Sequence, residues 1–197
     1  MDGRVFPLLA ALACAGLSPG AAQAADAAPA APAAPAAAAS AAQPSWTNAR
    51  HAFTVQLIQL GPDNVRAFYE NMGYPPKAID AIAKVCVFGT SIRNDAKAPI
   101  TYDVADWKAV TPDGKRHPLI TKTQWLHRWQ PLGVSSDWSI LPAQQTLQPG
   151  DWAQGFTTVD LPRGTRFKLV YFWREHGTQH QATLVGPQCA AAPHAQP

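Results

Sequence analysis

The side chains with the clearest capacity for chemistry are two histidines near the C-terminal end of the chain. His176 and His180 flank the segment Gly-Thr-Gln, where a tight turn follows an aromatic-rich strand. Residues on either side of a two-residue hairpin turn approach closely, so the two imidazoles could share a metal ion. Imidazole is a common ligand of copper and zinc, and His127 or His51 could supply a third ligand. Two solvated turn histidines are the preferred interpretation, and a copper or zinc site at His176, His180 and His127 is the alternative.

Tryptophan is the second residue type of interest, because exposed indole rings on a sheet face can stack against a sugar or a peptide. Trp125 and Trp129 are an even number of residues apart and would share one face of a continuous strand. These two residues are therefore the candidate ligand platform. Packing in the core of a β-sandwich is nevertheless the preferred interpretation of the tryptophans, and it suits Trp107, Trp152 and Trp173.

The common signatures of catalysis are missing from the sequence. It contains no Gly-x-Ser-x-Gly nucleophile elbow, no His-Glu-x-x-His zinc motif and no glycine-rich phosphate loop. The net charge is +3 and the charged residues are scattered, which leaves no electrostatic footprint for nucleic acid. These features favour a non-catalytic protein that does not bind nucleic acid, although a catalytic site assembled from distant residues would leave no such motif.

The N-terminal segment has the pattern of a secretory signal peptide over residues 1–24. Arg4 precedes an apolar run that is too short to span a bilayer, and small residues follow at positions 22–24. Residues 25–44 are rich in alanine and proline and are interpreted as a disordered linker. The segment Ala-Leu-Ala-Cys that ends at Cys14 also resembles the lipid-attachment motif of bacterial lipoproteins. We expect a periplasmic or secreted protein in which Cys14 is removed with the signal peptide or, alternatively, lipidated.

Export determines how the other two cysteines are interpreted. Cys86 and Cys189 form an even pair in a chain expected in an oxidising compartment, which predicts one disulfide. The bond would close a loop of about 100 residues, for which the chain-entropy model gives about 4–5 kcal/mol of stabilisation. A reactive or metal-binding thiol is the alternative.

Residues 45–189 carry the signals of one mainly β domain with a helical insertion. Residues 51–60 alternate between apolar and polar, as in a strand, whereas residues 62–85 show the i, i+3, i+4 spacing of a two-helix hairpin. From residue 86 onward, short alternating segments are separated by Gly, Pro and Asp turn signals. The strands predicted there are 87–93, 100–110, 124–129, 137–141, 152–159, 166–174 and 181–185. Seven or eight such strands favour an antiparallel β-sandwich, with residues 190–197 as a flexible tail.

The late strands show a recurring pattern of turn and aromatic residues. It consists of Pro-Gly-Asp-Trp at 149–152, Leu-Pro-Arg-Gly at 161–164 and Phe-Lys-Leu-Val-Tyr-Phe-Trp at 167–173. This pattern resembles the closing strands of exported bacterial immunoglobulin-like modules. The resemblance covers residues 86–185 and implies an immunoglobulin-like antiparallel β-sandwich, here with an inserted two-helix hairpin, but no specific activity.

Together these patterns predict an exported, non-catalytic binding or interaction module of the bacterial envelope. A protein partner or a role in envelope assembly is the preferred interpretation. Two alternatives stay open: a periplasmic copper-binding protein that uses surface histidines, and a small secreted hydrolase whose site has no recognisable motif.

Overall fold

The structure is a computed structural model in which residues 43–192 are described. The predicted signal peptide with Cys14, nearly all of the predicted linker and residues 193–197 lie outside the described residues. The strands are β1 (Ser45–Arg50), β2 (Phe53–Leu60), β3 (Cys86–Asn94), β4 (Ile100–Asp103), β5 (Lys108–Val110), β6 (Arg116–Ile120), β7 (Gln144–Leu147), β8 (Trp152–Val159), β9 (Arg166–Glu175) and β10 (Thr178–Gln188). The α-helices are α1 (Pro62–Asn71), α2 (Pro76–Ala83) and α3 (Lys122–Trp129).

The strands pair into two antiparallel groups that meet at β6. In the first group, sheet A, the order is β1-β2-β3-β8-β6. In the second group, sheet B, β9 pairs with β10 on one side and with both β4 and β5 on the other, and β7 extends the sheet beyond β4. Strand β6 also pairs with β5 and so connects the two groups. The fold is mainly antiparallel β sheet, as predicted.

The main hydrophobic core lies between sheets A and B. Alternate residues of each strand are buried because successive side chains of a strand point to opposite faces. The rings of Phe53 on β2 and Trp173 on β9 stack with their centroids 4.9 Å apart, which shows that the two sheets face each other. This arrangement is consistent with a β-sandwich. Other buried members of this core are Val55, Leu57, Phe88, Ile92, Phe167, Leu169, Tyr171 and Leu184.

The predicted disulfide between Cys86 and Cys189 is present. It joins the first residue of β3 to the residue after β10, across 103 positions of sequence and a Cα–Cα distance of 5.2 Å. Both sulfur-bearing residues are buried in the main core. A disulfide is compatible with an extracytoplasmic location.

The three helices cover part of the outer face of sheet A. Helices α1 and α2 occupy the segment expected to form a helical hairpin, and each begins with proline in its first turn. Helix α3 begins at a capping box, in which Thr121 accepts from the Gln124 backbone N–H and the Gln124 side chain accepts from the Thr121 backbone N–H. The second core between these helices and the sheet contains Val65, Tyr69, Ile79, Ile82, Val87, Ile120, Trp125, Trp129 and Ile140.

Four expectations about local structure are corrected. Residues 124–129 form most of helix α3 and are not a strand. Residues 137–141 make a single parallel bridge to β8 instead of forming a strand. The expected strand 100–110 is interrupted by a 3₁₀ turn at Val104–Asp106, and strands β1 and β7 were not predicted. Within residues 43–192, no helix combines the length and the hydropathy needed to cross a bilayer.

Candidate ligand-binding site

The outer face of sheet A is only partly covered by the helices. Antiparallel register places outward-facing residues of β2, β3 and β8 in transverse rows. The row Leu60, Val87 and Thr158 lies under the helices, and the Trp125 indole N–H donates to the Thr158 hydroxyl at 2.7 Å. Three further rows lie progressively farther from the helices. In order of increasing distance they are Ile58-Gly89-Phe156, Gln56-Ser91-Gln154 and Thr54-Arg93-Trp152.

A cleft of about 520 Å³ lies where the helical cover ends. Its floor is formed by Ile58, Gly89 and Phe156, and its walls include Phe68 of α1 and Trp138. Ser91 and Gln154 extend the lining onto the uncovered part of the sheet. The described lining residues are apolar or neutral polar, and none of them carries a charge.

Gly89 leaves space in the floor of the cleft. A Cβ atom built on it would have its nearest contact at 3.8 Å from the Ile58 Cβ, which is ordinary van der Waals contact. Its neighbours in the row, Ile58 and Phe156, both carry bulky side chains. A larger residue at position 89 would therefore project into the cleft without disturbing the backbone.

Trp138 forms an exposed wall of the cleft. Its side chain is 72% exposed, although its ring makes an edge contact with Phe68 at a centroid distance of 6.0 Å. Trp152 lies on β8 two residues before Gln154, so both side chains are on the outer face of sheet A. Trp152 is 60% exposed. Large exposed rings grouped on one face are typical of a binding surface. The expectation that Trp152 packs in the core was wrong, whereas Trp107 and Trp173 are buried in the main core.

A buried polar network holds the residues on either side of Trp138. Both carboxylate oxygens of Asp137 accept hydrogen bonds: Oδ2 accepts from the Tyr74 hydroxyl at 2.5 Å, and Oδ1 accepts from the Ser139 hydroxyl at 2.8 Å. The backbone N–H of Ile140 also donates to Oδ1, at 2.7 Å. The hydroxyls of Ser139 and Tyr69 are hydrogen-bonded at 2.8 Å. The backbone at Trp138 is therefore held on both sides, through Asp137 and Ser139.

Burial changes the titration of the two tyrosines in this network. Desolvation raises the pKa of Tyr69 well above its usual range, because the phenolate would lie in the second core. Desolvation also raises the pKa of Tyr74, and the hydrogen bond that its hydroxyl donates to Asp137 raises it further. Both hydroxyls therefore act as neutral hydrogen-bond donors or acceptors at ordinary pH.

Gly155 allows the segment that carries Trp138 to lie directly against β8. The Leu141 N–H donates to the Phe156 carbonyl at 2.9 Å, and the Phe156 N–H donates to the Ser139 carbonyl at 2.6 Å. A Cβ on Gly155 would lie 2.5 Å from the Leu141 nitrogen and 2.6 Å from its Cα, both of which are backbone atoms. Only glycine fits here, so the position of Trp138 depends on this residue as well.

The structure does not bring the predicted metal ligands together. His176 lies within the turn itself, where it and Gly177 have positive φ values of 49° and 77°. His180 lies on β10 opposite Trp173 and stacks on its ring at 5.4 Å. His127 lies in the last turn of α3. Across residues 43–192 there is no group of three or more His, Cys, Asp or Glu side chains placed to hold a metal ion.

His51, named above as an optional third ligand, is the histidine that does approach His180. It lies in the turn between β1 and β2, and the two ring centroids are 5.1 Å apart. The Oε2 of Glu175 lies 3.9 Å from the His180 Nε2. These contacts describe two packed imidazoles beside the Trp173 ring.

The predicted tryptophan platform is also corrected. Trp125 and Trp129 are 1% and 0% exposed, and their rings pack together with centroids 4.9 Å apart. Their spacing of four places them on one face of helix α3, which is turned toward the sheet. The exposed rings at Trp138 and Trp152 were not singled out, because their exposure depends on how far the helices extend over sheet A.

Comparison with known proteins assigns no family to the chain. No protein-family model matches it, and no curated protein matches it. Among solved structures, it is similar to the crystal structure of a DUF4426 family protein from Pseudomonas aeruginosa, with a TM-score of 0.38 and 7% sequence identity. The alignment covers 75% of this chain and 95% of that chain. A similarity this low transfers neither a detailed topology nor an activity.

Proposed function

We propose that the protein is an exported, non-catalytic binding module of the bacterial cell envelope, with its ligand site on the uncovered part of sheet A. The observation that carries this proposal is the neutral cleft of about 520 Å³ beside Trp138, which is 72% exposed. Concave, largely apolar sites with a few neutral polar groups are typical of ligand binding. The immunoglobulin-like type of the sandwich is part of the proposal, and the two facing antiparallel sheets support it.

The hydrogen bonding of the polar groups beside the cleft supports a binding role over a catalytic one. Asp137 accepts from Tyr74, Ser139 and the Ile140 backbone, so its oxygens are already engaged. The Ser139 hydroxyl donates to this carboxylate and is not paired with an imidazole base. A nucleophilic serine needs a base that can take its proton. The network therefore positions Trp138 instead of activating a nucleophile.

The proposal is tested by cosedimentation of the purified chain with insoluble bacterial cell-envelope material. The wild-type chain is compared with Gly89→Val, whose side chain would occupy the cleft floor. The matched control is Val185→Ala, an exposed apolar position on β10, away from the cleft. Thermal unfolding of all three chains establishes that each is folded.

We expect the wild type and Val185→Ala to sediment with the envelope material and Gly89→Val to stay in solution. Sedimentation of Gly89→Val at the wild-type level would show that the cleft is not the binding site. A wild-type chain that stays in solution at all concentrations of envelope material would overturn the proposed function.

A further inference from the structure

We propose that the ligand of this cleft is a neutral oligosaccharide, which stacks on Trp138 and extends along the outer face of β8 toward Trp152. This inference rests on the proposed function and names the class of ligand. It also differs from the protein partner that the sequence favoured. Three features of the site support it: its charge, its ring and amide groups, and its closed backbone.

The charge of the site favours a neutral ligand. The cleft lining includes Ser91, Ser139 and Gln154 as polar groups and no ionised side chain. An anionic ligand would lose its hydration on entering the cleft without gaining an opposite charge, and the same holds for a cation. A ligand with many hydroxyl groups and no net charge avoids this cost. Beyond the cleft, Arg93 lies beside Trp152, and its charge is paired with Asp95 at 2.6 Å.

The side chains on the open face match the two surfaces of a sugar ring. A pyranose presents C–H groups on its faces, which suit an indole ring, and hydroxyls at its edges, which suit amides and hydroxyls. Trp138 supplies the indole, while Gln154 and Ser91 supply an amide and a hydroxyl that reach solvent. At about 3.4 Å per residue, Trp152 and Phe156 are separated by roughly 13–14 Å along β8. The face therefore has room for a short sugar chain between the half-buried Phe156 in the cleft floor and the exposed Trp152.

The backbone of the floor is closed to a peptide strand. Strand β3 is paired on both sides, with β2 and β8, over the length of the cleft floor. At Phe156, strand β8 pairs with β3 on one side and with residues 139–141 on the other. A peptide that adds to a sheet needs unpaired backbone groups at an edge. Recognition at the cleft floor therefore comes from side chains, as it does for a sugar.

The backbone that carries Trp138 is arranged before any ligand binds. Asp137 and Ser139 hold the backbone on either side of it, and Phe68 contacts one edge of the ring. An exposed ring on a held backbone has less conformational entropy to lose on binding, which raises affinity for a weakly interacting ligand. This accounts for a buried hydrogen-bond network placed directly beside a solvent-exposed tryptophan.

The test is isothermal titration of the full chain with three soluble probes. The neutral probes are a hexamer of N-acetylglucosamine and a hexamer of glucose, and the charged probe is a hexamer of galacturonate. The variants are Trp138→Ala and Gly89→Val, with Val185→Ala as the control. Trp138→Phe is included because a smaller ring should keep part of the stacking.

We expect at least one neutral hexamer to bind and the galacturonate hexamer not to bind. Trp138→Ala should weaken binding about tenfold or more, which corresponds to the loss of one aromatic stacking contact. Trp138→Phe should fall between the wild type and Trp138→Ala, and Gly89→Val should abolish binding. Binding of the neutral probe that is unaffected by both Trp138→Ala and Gly89→Val would overturn the assignment of this site.

The outcomes separate failure of the ligand class from failure of the proposed function. If neither neutral hexamer binds while Gly89-dependent cosedimentation is observed, the oligosaccharide inference fails and the binding module stands. In that case, sensitivity of the sedimentation to prior protease treatment of the envelope would identify a protein ligand. If the wild type neither binds the hexamers nor sediments, both proposals fail together.

Discussion

The hydroxyl of Tyr74 donates to Oδ2 of Asp137 at 2.5 Å, and this bond ties the connection between α1 and α2 to the segment that carries Trp138. The two residues are 63 positions apart in the sequence. Asp137 is 6% exposed, so its charge is stabilised by the donors around it and not by water. The helical layer and the wall of the cleft are therefore coupled through one carboxylate.

The first prediction concerns Asp137→Asn. An asparagine would present an N–H₂ group to hydroxyl or backbone donors that now face a carboxylate oxygen, and at least one buried donor would lose its acceptor. We expect the free energy of unfolding to fall by about 1–3 kcal/mol, measured by urea denaturation. Asp160→Asn, at an exposed position, serves as control and should stay within about 0.5 kcal/mol of the wild type. Equal stabilities for the two variants would contradict the role assigned to Asp137.

The second prediction is a loss of stability at alkaline pH. Desolvation raises the pKa of all four tyrosines of the chain above the ordinary value of 10.0, to about 12 for Tyr171 and beyond that range for Tyr69, Tyr74 and Tyr102. Above pH 10 the unfolded chain releases these protons and the folded chain keeps them. The stabilising contribution is thus complete below pH 10 and is lost as pH rises through the folded-state pKa values.

Urea denaturation from about pH 9 to about pH 12, together with the near-ultraviolet absorbance of tyrosinate, tests this prediction. We expect little tyrosinate in the folded protein at pH 10 and a steep, simultaneous rise of ionisation and unfolding at higher pH. Tyr102→Phe should make the pH dependence of the unfolding midpoint less steep. Four tyrosines that ionise at pH 10 in a protein that stays folded would contradict the burial described here.

The third prediction compares two glycines on neighbouring strands. Gly155→Ala places a methyl group within 2.6 Å of two Leu141 backbone atoms, so the segment from Asp137 to Leu141 must move. We expect a loss of about 1–3 kcal/mol or more. Gly89→Ala makes only ordinary contacts and should be neutral or stabilising by up to about 1 kcal/mol. The comparison is made by chemical denaturation, and a smaller loss for Gly155→Ala than for Gly89→Ala would be inconsistent with the close approach of the segment.

The fourth prediction concerns the disulfide. The double variant Cys86→Ala/Cys189→Ala opens a loop of 103 positions and should lose about 2–5 kcal/mol of unfolding free energy. Added reductant should destabilise the wild type to a similar extent and leave the double variant unchanged. A wild type that responds to reductant no more than the double variant does would show that the bond contributes nothing to stability.

Local patterns in the sequence identified the elements that depend on local spacing. Prolines in the first turns and the i, i+3, i+4 repeat located α1 and α2, and strict alternation located β2 and β9. Helix α3 was predicted as a strand because Trp125 and Trp129, four residues apart, share a face in either structure. Thr121 and Gln124 have the Thr-x-x-Gln spacing of a capping box and were the signal that favoured a helix.

The candidate site could not be derived in the same way because it is built from distant segments. Ile58, Gly89 and Phe156 become neighbours only through the register of β2, β3 and β8. Trp138 is exposed although Phe68 of α1 contacts one edge of its ring, and a sequence pattern does not record where a helical layer stops. His176 and His180 do not flank the hairpin for a related reason, since the two-residue turn is His176-Gly177 and His176 lies within it.

Strand β9 and the disulfide determine the order in which the chain can assemble during its synthesis. Strand β9 pairs with β4, β5 and β10, and none of these pairs can form before residues 166–175 have been made. Cys86 must then wait for Cys189, which is synthesised 103 residues later. Sheet A can pair β1, β2 and β3 early, but its inner face stays open to water until the late strands arrive. Folding dominated by such distant pairings is slow, so an incomplete chain would expose an apolar sheet and a free thiol for a chaperone or a thiol oxidase to meet.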